Sequence, residues 1–194
     1  MSYPEVILAL PEWVEELVCD SDREYPTEED RMRLAIELSR RNVERGTGGP
    51  FGAGVFDLST SRLVAPGVNL VTATNLSVAH AEIVAIMIAQ QVVGHFDLGG
   101  RGRPAYELVA STEPCAQCLG AVPWSGVRRL ACGARDEDAR EIGFDEGSKL
   151  EDWIFSLERR GISVLRDVCR DEAAAVLKEY AEDGGEIYNA RQGE

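Results

Sequence analysis

Hydrophobic positions recur at helical spacing in TEEDRMRLAIELSRRNVERG, residues 27–46. Met32, Ala35 and Ile36 fall on one face of such a helix, which is typical of a stripe packed against a core. Thr27 can cap the helix, and acidic residues follow in its first turn. We therefore predict a helix over this segment, ending near Gly46.

Short apolar runs and helical patterns alternate along the rest of the chain. The runs GAGVFD, RLVAPGVNLV, YELVAS, VRRLACG and ISVLR are typical of strands. Helical patterns begin near His80 and near Cys115, and others lie in DEDAREIG, LEDWIFSLERRG and RDEAAAVLKEYAED. This alternation predicts a layered α/β sandwich. Residues 1–26 contain three prolines and predict an irregular head with a short helix, followed by a single domain over residues 27–194.

Two segments that each open a predicted helix hold the candidate chemistry. VAHAEIVAIMIA places His80 and Glu82 at the start of an apolar helix, and STEPCAQCLGAV places Cys115 and Cys118 three residues apart. Both thiol groups can point the same way from one helical turn, and the positive helix end favours thiolates. One histidine and two thiolates are ligands that zinc prefers, and three protein ligands leave a fourth position for water.

Glu82 is expected beside this zinc rather than bound to it. A carboxylate there can take a proton from the activated water and pass it to a leaving amine. A C-x-x-C pair alone is also typical of structural zinc, and a lone histidine of a helix cap. Found together in this order, the two segments match the H-x-E…P-C-x-x-C signature of zinc-dependent deaminases.

Composition limits the alternatives. The formal charge of −14 opposes binding to a phosphate backbone, and the basic residues of residues 27–46 lie among acids, which is typical of a solvated helix face. These basic residues include Arg31, Arg33, Arg40 and Arg41. No signal peptide or membrane span is evident in the sequence, so we expect a cytoplasmic protein with reduced thiols. The remaining cysteines are assigned to packing: Cys19, Cys132 and Cys169.

At these motifs the chain resembles the cytidine deaminase-like superfamily, and within it the guanine deaminase branch. GGPFGAGVF, HAEIVAI, STEPCAQCLGAVPWSGV and DAREIGFDEG are similar to blocks of bacterial guanine deaminases, and GGEIYNAR to a subgroup that also acts on the triazine ammeline. The resemblance implies a three-layer α/β/α sandwich with a mixed five-stranded sheet and one zinc per subunit. It also implies a homodimer in which the C-terminal helix and tail, about residues 170–194, cross to the partner's site.

The resemblance also implies roles for residues around the substrate. Asn69 matches an asparagine that hydrogen-bonds the purine ring, and Phe51 matches an aromatic residue that stacks on it. Within GFDEG, Glu146 resembles a second carboxylate near the substrate's amino group. Asp145 is a rival for the same role, and the sequence does not separate the two.

Two aromatic residues, Trp124 and Tyr188, are candidates for the walls of the pocket, with a buried core position as the alternative for Trp124. The implied reaction is hydrolytic deamination of guanine to xanthine and ammonia. Alternatives are another small aminated base or nucleoside, such as guanosine or cytosine, or a non-catalytic zinc-stabilised subunit. Deamination of adenosine in tRNA is a further alternative, but it predicts a basic C-terminal helix, whereas RDEAAAVLKEYAEDGGE is acidic.

Overall fold

A mixed five-stranded sheet forms the centre of the computed structural model, which describes residues 2–191. Its strands are β1 Gly52–Asp57, β2 Arg62–Val68, β3 Tyr106–Thr112, β4 Arg129–Ala134 and β5 Ser163–Leu165. They lie in the order β2-β1-β3-β4-β5. β1 runs antiparallel to both of its neighbours, and β3, β4 and β5 run parallel to one another. The predicted mixed sheet is confirmed.

Helices cover both faces of this sheet. They are α1 Glu12–Leu17, α2 Glu28–Glu44, α3 Val71–Thr74, α4 Ala81–Val93, α5 Ala116–Ser125, α6 Asp136–Glu141, α7 Trp153–Glu158 and α8 Arg170–Glu182. One apolar cluster joins α1, α2 and α8 to one face, and a second joins α4, α5 and α7 to the other. The three-layer sandwich is therefore confirmed, and the short helix α3 is an addition that the sequence pattern did not predict.

The helix predicted from Thr27 onward begins as expected. The side-chain oxygen of Thr27 accepts a hydrogen bond from the backbone N–H of Asp30 at 3.1 Å, and the Asp30 carboxylate accepts one from the backbone N–H of Thr27 at 3.2 Å. This reciprocal capping box satisfies two donors that a helix start leaves free. Met32, Ala35 and Ile36 are buried, as their spacing predicted.

The prediction of a solvated face is wrong for Arg31. Its side chain is buried, and its Nε lies 2.6 Å from the carboxylate of Glu107, which is 0% exposed near the start of β3. Arg129, directly opposite Glu107 on β4, lies 2.9 Å from the other carboxylate oxygen. Two arginines thus neutralise one buried acid and join α2 to two parallel strands. The acid partner is 76 positions away, so local charge patterning gave no sign of it.

Two glycines allow the helices to lie close to the sheet. A Cβ atom at Gly52 would lie 2.3 Å from the backbone oxygen of Ala35 in α2, and one at Gly67 would lie 2.2 Å from that of Ala81 in α4. Any side chain at either position would push the helix away. Gly67 therefore permits the first turn of α4, which contains Glu82 and follows the N-cap His80, to rest directly on β2.

The N-terminal segment contributes to the core. Trp13, Val14 and Tyr25 are buried in the cluster shared by α1, α2 and α8, so residues before position 26 pack with the predicted domain. Cys19 is exposed, which corrects its assignment to packing, whereas Cys132 is buried. The predicted domain and tail include residues 192–194, which lie outside the described residues. Between residues 2 and 191, no helix is long and apolar enough to cross a membrane.

We expect Glu107→Gln to lower the free energy of unfolding by about 3 kcal/mol, because it leaves the buried Arg31 guanidinium without its close counter-charge and takes one of two carboxylate partners from Arg129. Urea unfolding at pH 7 measures the change. Glu37→Gln is the matched control, since the Arg41–Glu37 pair is more than a third exposed at both side chains and should contribute at most about 1 kcal/mol. Equal effects of the two substitutions would contradict a structural role for the Glu107 cluster.

Candidate active site

A cavity of about 430 Å³ opens at the carboxyl ends of β3 and β4. β1 begins and β2 ends at the same edge, so four strands direct their connecting segments toward it. Predicted site residues from six separate parts of the sequence line this cavity. They are Phe51, Asn69, His80, Glu82, Cys115, Asp145, Glu146 and Tyr188. A position beyond the carboxyl ends of parallel strands is where α/β sheets commonly bind ligands.

The predicted zinc ligands form one cluster. His80 is the N-cap of α4 and Cys115 the N-cap of α5, and Cys118 follows one turn into α5. One ligand atom from each lies within 4.8 Å of the others, and Nδ1 of His80 is 3.4 Å from Sγ of Cys115. Tetrahedral zinc with ordinary bond lengths would separate such N and S atoms by roughly 3.5 Å. The donor set and its spacing therefore fit zinc.

The helix ends favour anionic ligands at this cluster. Neither His80 nor Cys115 uses its side chain to cap its helix, so both side chains remain directed to the cluster. A hydrogen bond from Cys118, helped by the ring of His80, lowers the pKa of Cys115 to about 4. These surroundings therefore favour the thiolate form of Cys115, the form that binds zinc.

Glu82 lies in the first turn of α4 and is only 8% exposed. Burial raises the pKa of its carboxyl group, and repulsion from the Cys115 thiolate raises it further. A carboxylate so placed is a better proton acceptor than one in water. Glu82 therefore lies beside the metal-ligand cluster with the basicity that a proton carrier needs.

Asn69 and Phe51 lie on the wall of the cavity formed by β1 and β2. The side-chain oxygen of Asn69 accepts a hydrogen bond from the backbone N–H of Val71 at 3.2 Å, and no described residue accepts one from its amide NH₂ group. Two donors thus remain for a ligand. The ring of Phe51 packs edge-on against Phe144 with centroids 5.0 Å apart. This contact holds an apolar surface beside the amide group of Asn69.

The structure separates the two acidic residues of GFDEG. Glu146 is 6% exposed and lines the cavity, whereas Asp145 is exposed at its rim and accepts a hydrogen bond from the backbone N–H of Gly147 at 2.9 Å. Burial, together with repulsion from Cys115 and Glu82, raises the pKa of Glu146 to about 8. Glu146 can therefore gain or lose a proton near neutral pH.

The two candidate wall aromatics differ in position. Tyr188 lines the cavity, and its buried hydroxyl group has no hydrogen-bond partner within residues 2–191. Trp124 is 82% exposed and does not line the cavity, so both expectations for it, pocket wall and core, are wrong. It lies in the last turn of α5, where Val122 and Ser125 face the interior and leave the Trp124 ring outside.

Two buried polar residues that support the cavity have no signal in the sequence. The side-chain amide of Asn42 donates to the backbone oxygens of Gly49 and Asn69, at 2.9 and 2.8 Å, and so fixes the glycine-rich loop to the end of β2. Glu113 lies between β3 and Cys115, where its carboxylate pairs with Arg166. The partners of both come from distant parts of the chain, so spacing along the sequence does not identify them.

The layered α/β fold, the zinc ligands and the adjacent buried glutamate define a zinc-dependent hydrolase of the deaminase class. Residues 26–134 match the family model of the cytidine and deoxycytidylate deaminase zinc-binding region, more than half of the chain. The chain belongs to this family.

Individual similar proteins include guanine deaminases. The guanine deaminase of Bacillus subtilis is 37% identical over 115 residues, which are 59% of this chain and 69% of that protein. A solved guanine deaminase from Nitrosomonas europaea is 43% identical with a TM-score of 0.87, over 93% of this chain and all of that one. The protein NE0047, solved in complex with 2,6-diaminopurine, is 45% identical with a TM-score of 0.89, over 96% of this chain and 98% of that one.

Cys118→Ser should reduce the zinc content from about one ion per chain to a small fraction of that, because a hydroxyl group is a poor zinc ligand. Atomic absorption after dialysis against a weak chelator measures it. Cys19→Ser, the matched exposed cysteine, should retain the metal. Full retention of zinc by Cys118→Ser would exclude this residue as a ligand.

Proposed function

We propose that this protein is a guanine deaminase, which converts guanine and water to xanthine and ammonia. The observation that carries the proposal is the coincidence, in one cavity, of a zinc-binding cluster, the buried Glu82 beside it and the buried Glu146. Two of the relatives at 37% and 43% identity are guanine deaminases, which supports guanine over other bases. The resemblance of the C-terminal segment makes ammeline a second candidate substrate.

His80, Cys115 and Cys118 would hold the zinc, which when bound supplies a Lewis acid that makes water acidic enough to react near neutral pH. Glu82 takes a proton from the attacking water, since its raised pKa makes it an effective base. The same carboxyl group then delivers that proton to the amino group as the carbon–nitrogen bond breaks. The ring carbon gains the oxygen of water, ammonia leaves, and the second proton of water ends on the neighbouring ring nitrogen, which gives xanthine.

Recognition of guanine follows from the remaining polar groups. The edge of guanine that presents N7 and O6 offers two acceptors, which suit the free amide NH₂ group of Asn69. The ring N–H and the exocyclic amine offer adjacent donors, which suit the carboxyl group of Glu146 in its ionised form. Phe51 and Tyr188 complete the walls around the ring, and Asp145 shapes the rim. Such orientation of a bound base can supply much of the rate.

The partners that we propose are a small purine or triazine and a second copy of this chain, not nucleic acid. A net charge of −14 repels a phosphate backbone. Five free cysteines, two of them needed as thiolates for zinc, suit the reducing cytoplasm. Residues Tyr188 and Asn189 reach the cavity, so an exchange of the C-terminal tail in a homodimer would place these residues in the partner's site.

We expect ammonia release from guanine by the zinc-loaded protein, and its loss in Glu82→Ala by a factor of at least about 10³ with zinc retained. Coupled ammonia assays on guanine, ammeline, guanosine, adenine, cytosine and cytidine measure both activity and range. Glu44→Ala, at an exposed acid near the end of α2, is the control. Activity on adenosine in tRNA alone, or on no substrate despite bound zinc, would replace the proposal with one of its alternatives.

Glu146→Gln should lower kcat/KM on guanine by about 100-fold, because the amide keeps the shape of the side chain but cannot take a proton or accept two donors. Asp145→Asn should cost less than about fivefold, because Asp145 is exposed and bonded to its own loop. Steady-state kinetics at pH 7 compare the two variants. A larger loss in Asp145→Asn would exchange their roles.

A further inference from the structure

The loop that contains Glu146 is attached to the first turn of α5 by two hydrogen bonds. The backbone N–H of Ala116 donates to the backbone oxygen of Glu146 at 2.9 Å. Nζ of Lys149 donates to the backbone oxygen of Pro114 at 3.0 Å. Since Pro114 immediately precedes Cys115, the side chain of Lys149 joins the carboxylate loop to the segment that presents a zinc ligand.

Asp136, the first residue of α6, holds Lys149 in place. Its Oδ1 lies 2.5 Å from Nζ of Lys149, and its Oδ2 lies 2.5 Å from Nε of Arg140. Arg140 in turn donates to the backbone oxygen of Gly147 at 2.6 Å. The backbone N–H of Asp136 donates to the Glu113 carboxylate at 3.2 Å. One carboxylate therefore orients two cations, each of which binds a backbone oxygen beside a group of the site.

The position of Lys149 distinguishes it from a surface ion pair. Its side chain is 9% exposed, whereas that of Arg140 is 42% exposed. Its Nζ also lies over the ring of Trp153, 5.9 Å from the ring centroid. Removing a charged donor that is buried between two acceptors costs free energy, and the hydrogen bonds restrict the positions that the donor can adopt. Gly147, with a φ of +67°, allows the backbone to turn back between Glu146 and Lys149.

We propose that Lys149 is a positioning residue, oriented by Asp136, that fixes the Glu146 loop against the N-terminus of α5 and so sets the distance between Glu146 and the metal-ligand cluster. The proposal rests on the proposed function insofar as Glu146 contacts the substrate. Lys149 itself does not line the cavity. We expect Lys149 to act on the reaction through the position of Glu146.

Amide hydrogen exchange tests the attachment without reference to any substrate. Lys149→Met removes the charge and the contacts with Pro114 and Asp136 but keeps an apolar stem, and should speed exchange of the amides at 144–148 by at least about fivefold while α4 is unchanged. Lys149→Arg should restore much of the protection. Lys178→Met is the matched control, at an exposed lysine in α8. Unchanged protection at 144–148 in Lys149→Met would overturn the proposal.

Kinetics then test whether the attachment acts through Glu146. In the wild-type background, Lys149→Met should lower kcat on guanine by about 10- to 100-fold and change KM by less than about threefold, because a displaced Glu146 mainly weakens the transition state. In the Glu146→Gln background the same substitution should cost less than about twofold. An equal loss in both backgrounds would show an effect independent of Glu146 and would also overturn the proposal.

Arg140, the more exposed of the two cations that pair with Asp136, provides a second variant in case Lys149→Met folds poorly. Arg140→Met should show the same pattern with a smaller loss of kcat, since Arg140 is partly exposed and binds only Gly147 of the loop. If the wild-type protein released no ammonia from guanine, the proposed function would fail, while the exchange measurement would still decide whether Lys149 fixes the loop.

Discussion

The site depends on the meeting of two helix N-termini at one edge of the sheet. α4 and α5 start with His80 and Cys115, whose side chains lie 3.4 Å apart and leave their own helix ends without side-chain caps. Ordinary capping residues at these positions would stabilise each helix by about 1 kcal/mol. The fold forgoes that stability in exchange for two side chains directed at a metal. Gly67 is part of the same arrangement, because its missing Cβ lets the first turn of α4 reach the sheet.

The second constraint is the concentration of negative charge in the cavity. Glu82, Glu146 and the Cys115 thiolate lie close enough that burial and mutual repulsion raise the pKa of both carboxyl groups. A bound zinc ion would offset this repulsion from the ligand side, and Lys149 offsets it from the loop side. The result is two carboxyl groups with raised pKa values, which suits deamination, since a proton taken from water must be delivered to the leaving amine.

The sequence predicted features that depend on neighbouring residues or on a specific motif. The α/β alternation, the capping of α2 by Thr27 and the ligand spacing of His80, Cys115 and Cys118 all belong to that group, and the structure agrees with each. Helix α3 is one turn long and lacks any period to detect. Arg31 and Trp124 were misassigned for a common reason. Arg31 is buried by residues distant in the sequence, and Trp124 is exposed by the way α5 packs on the sheet. Only the fold determines the positions of these segments.

The C-terminal segment is held in place by contacts that no local sequence pattern indicates. α8 packs against α2 and β4, and Tyr180 fixes the turn after it by donating to the backbone oxygen of Glu186 at 2.6 Å. The side chain of Asn189 then bonds the backbone on both sides of Phe144, at 2.8 Å each. These contacts of Asn189 place Tyr188 and Asn189 at the wall of the cavity, so the shape of the site depends on how the tail is held against the Phe144 segment.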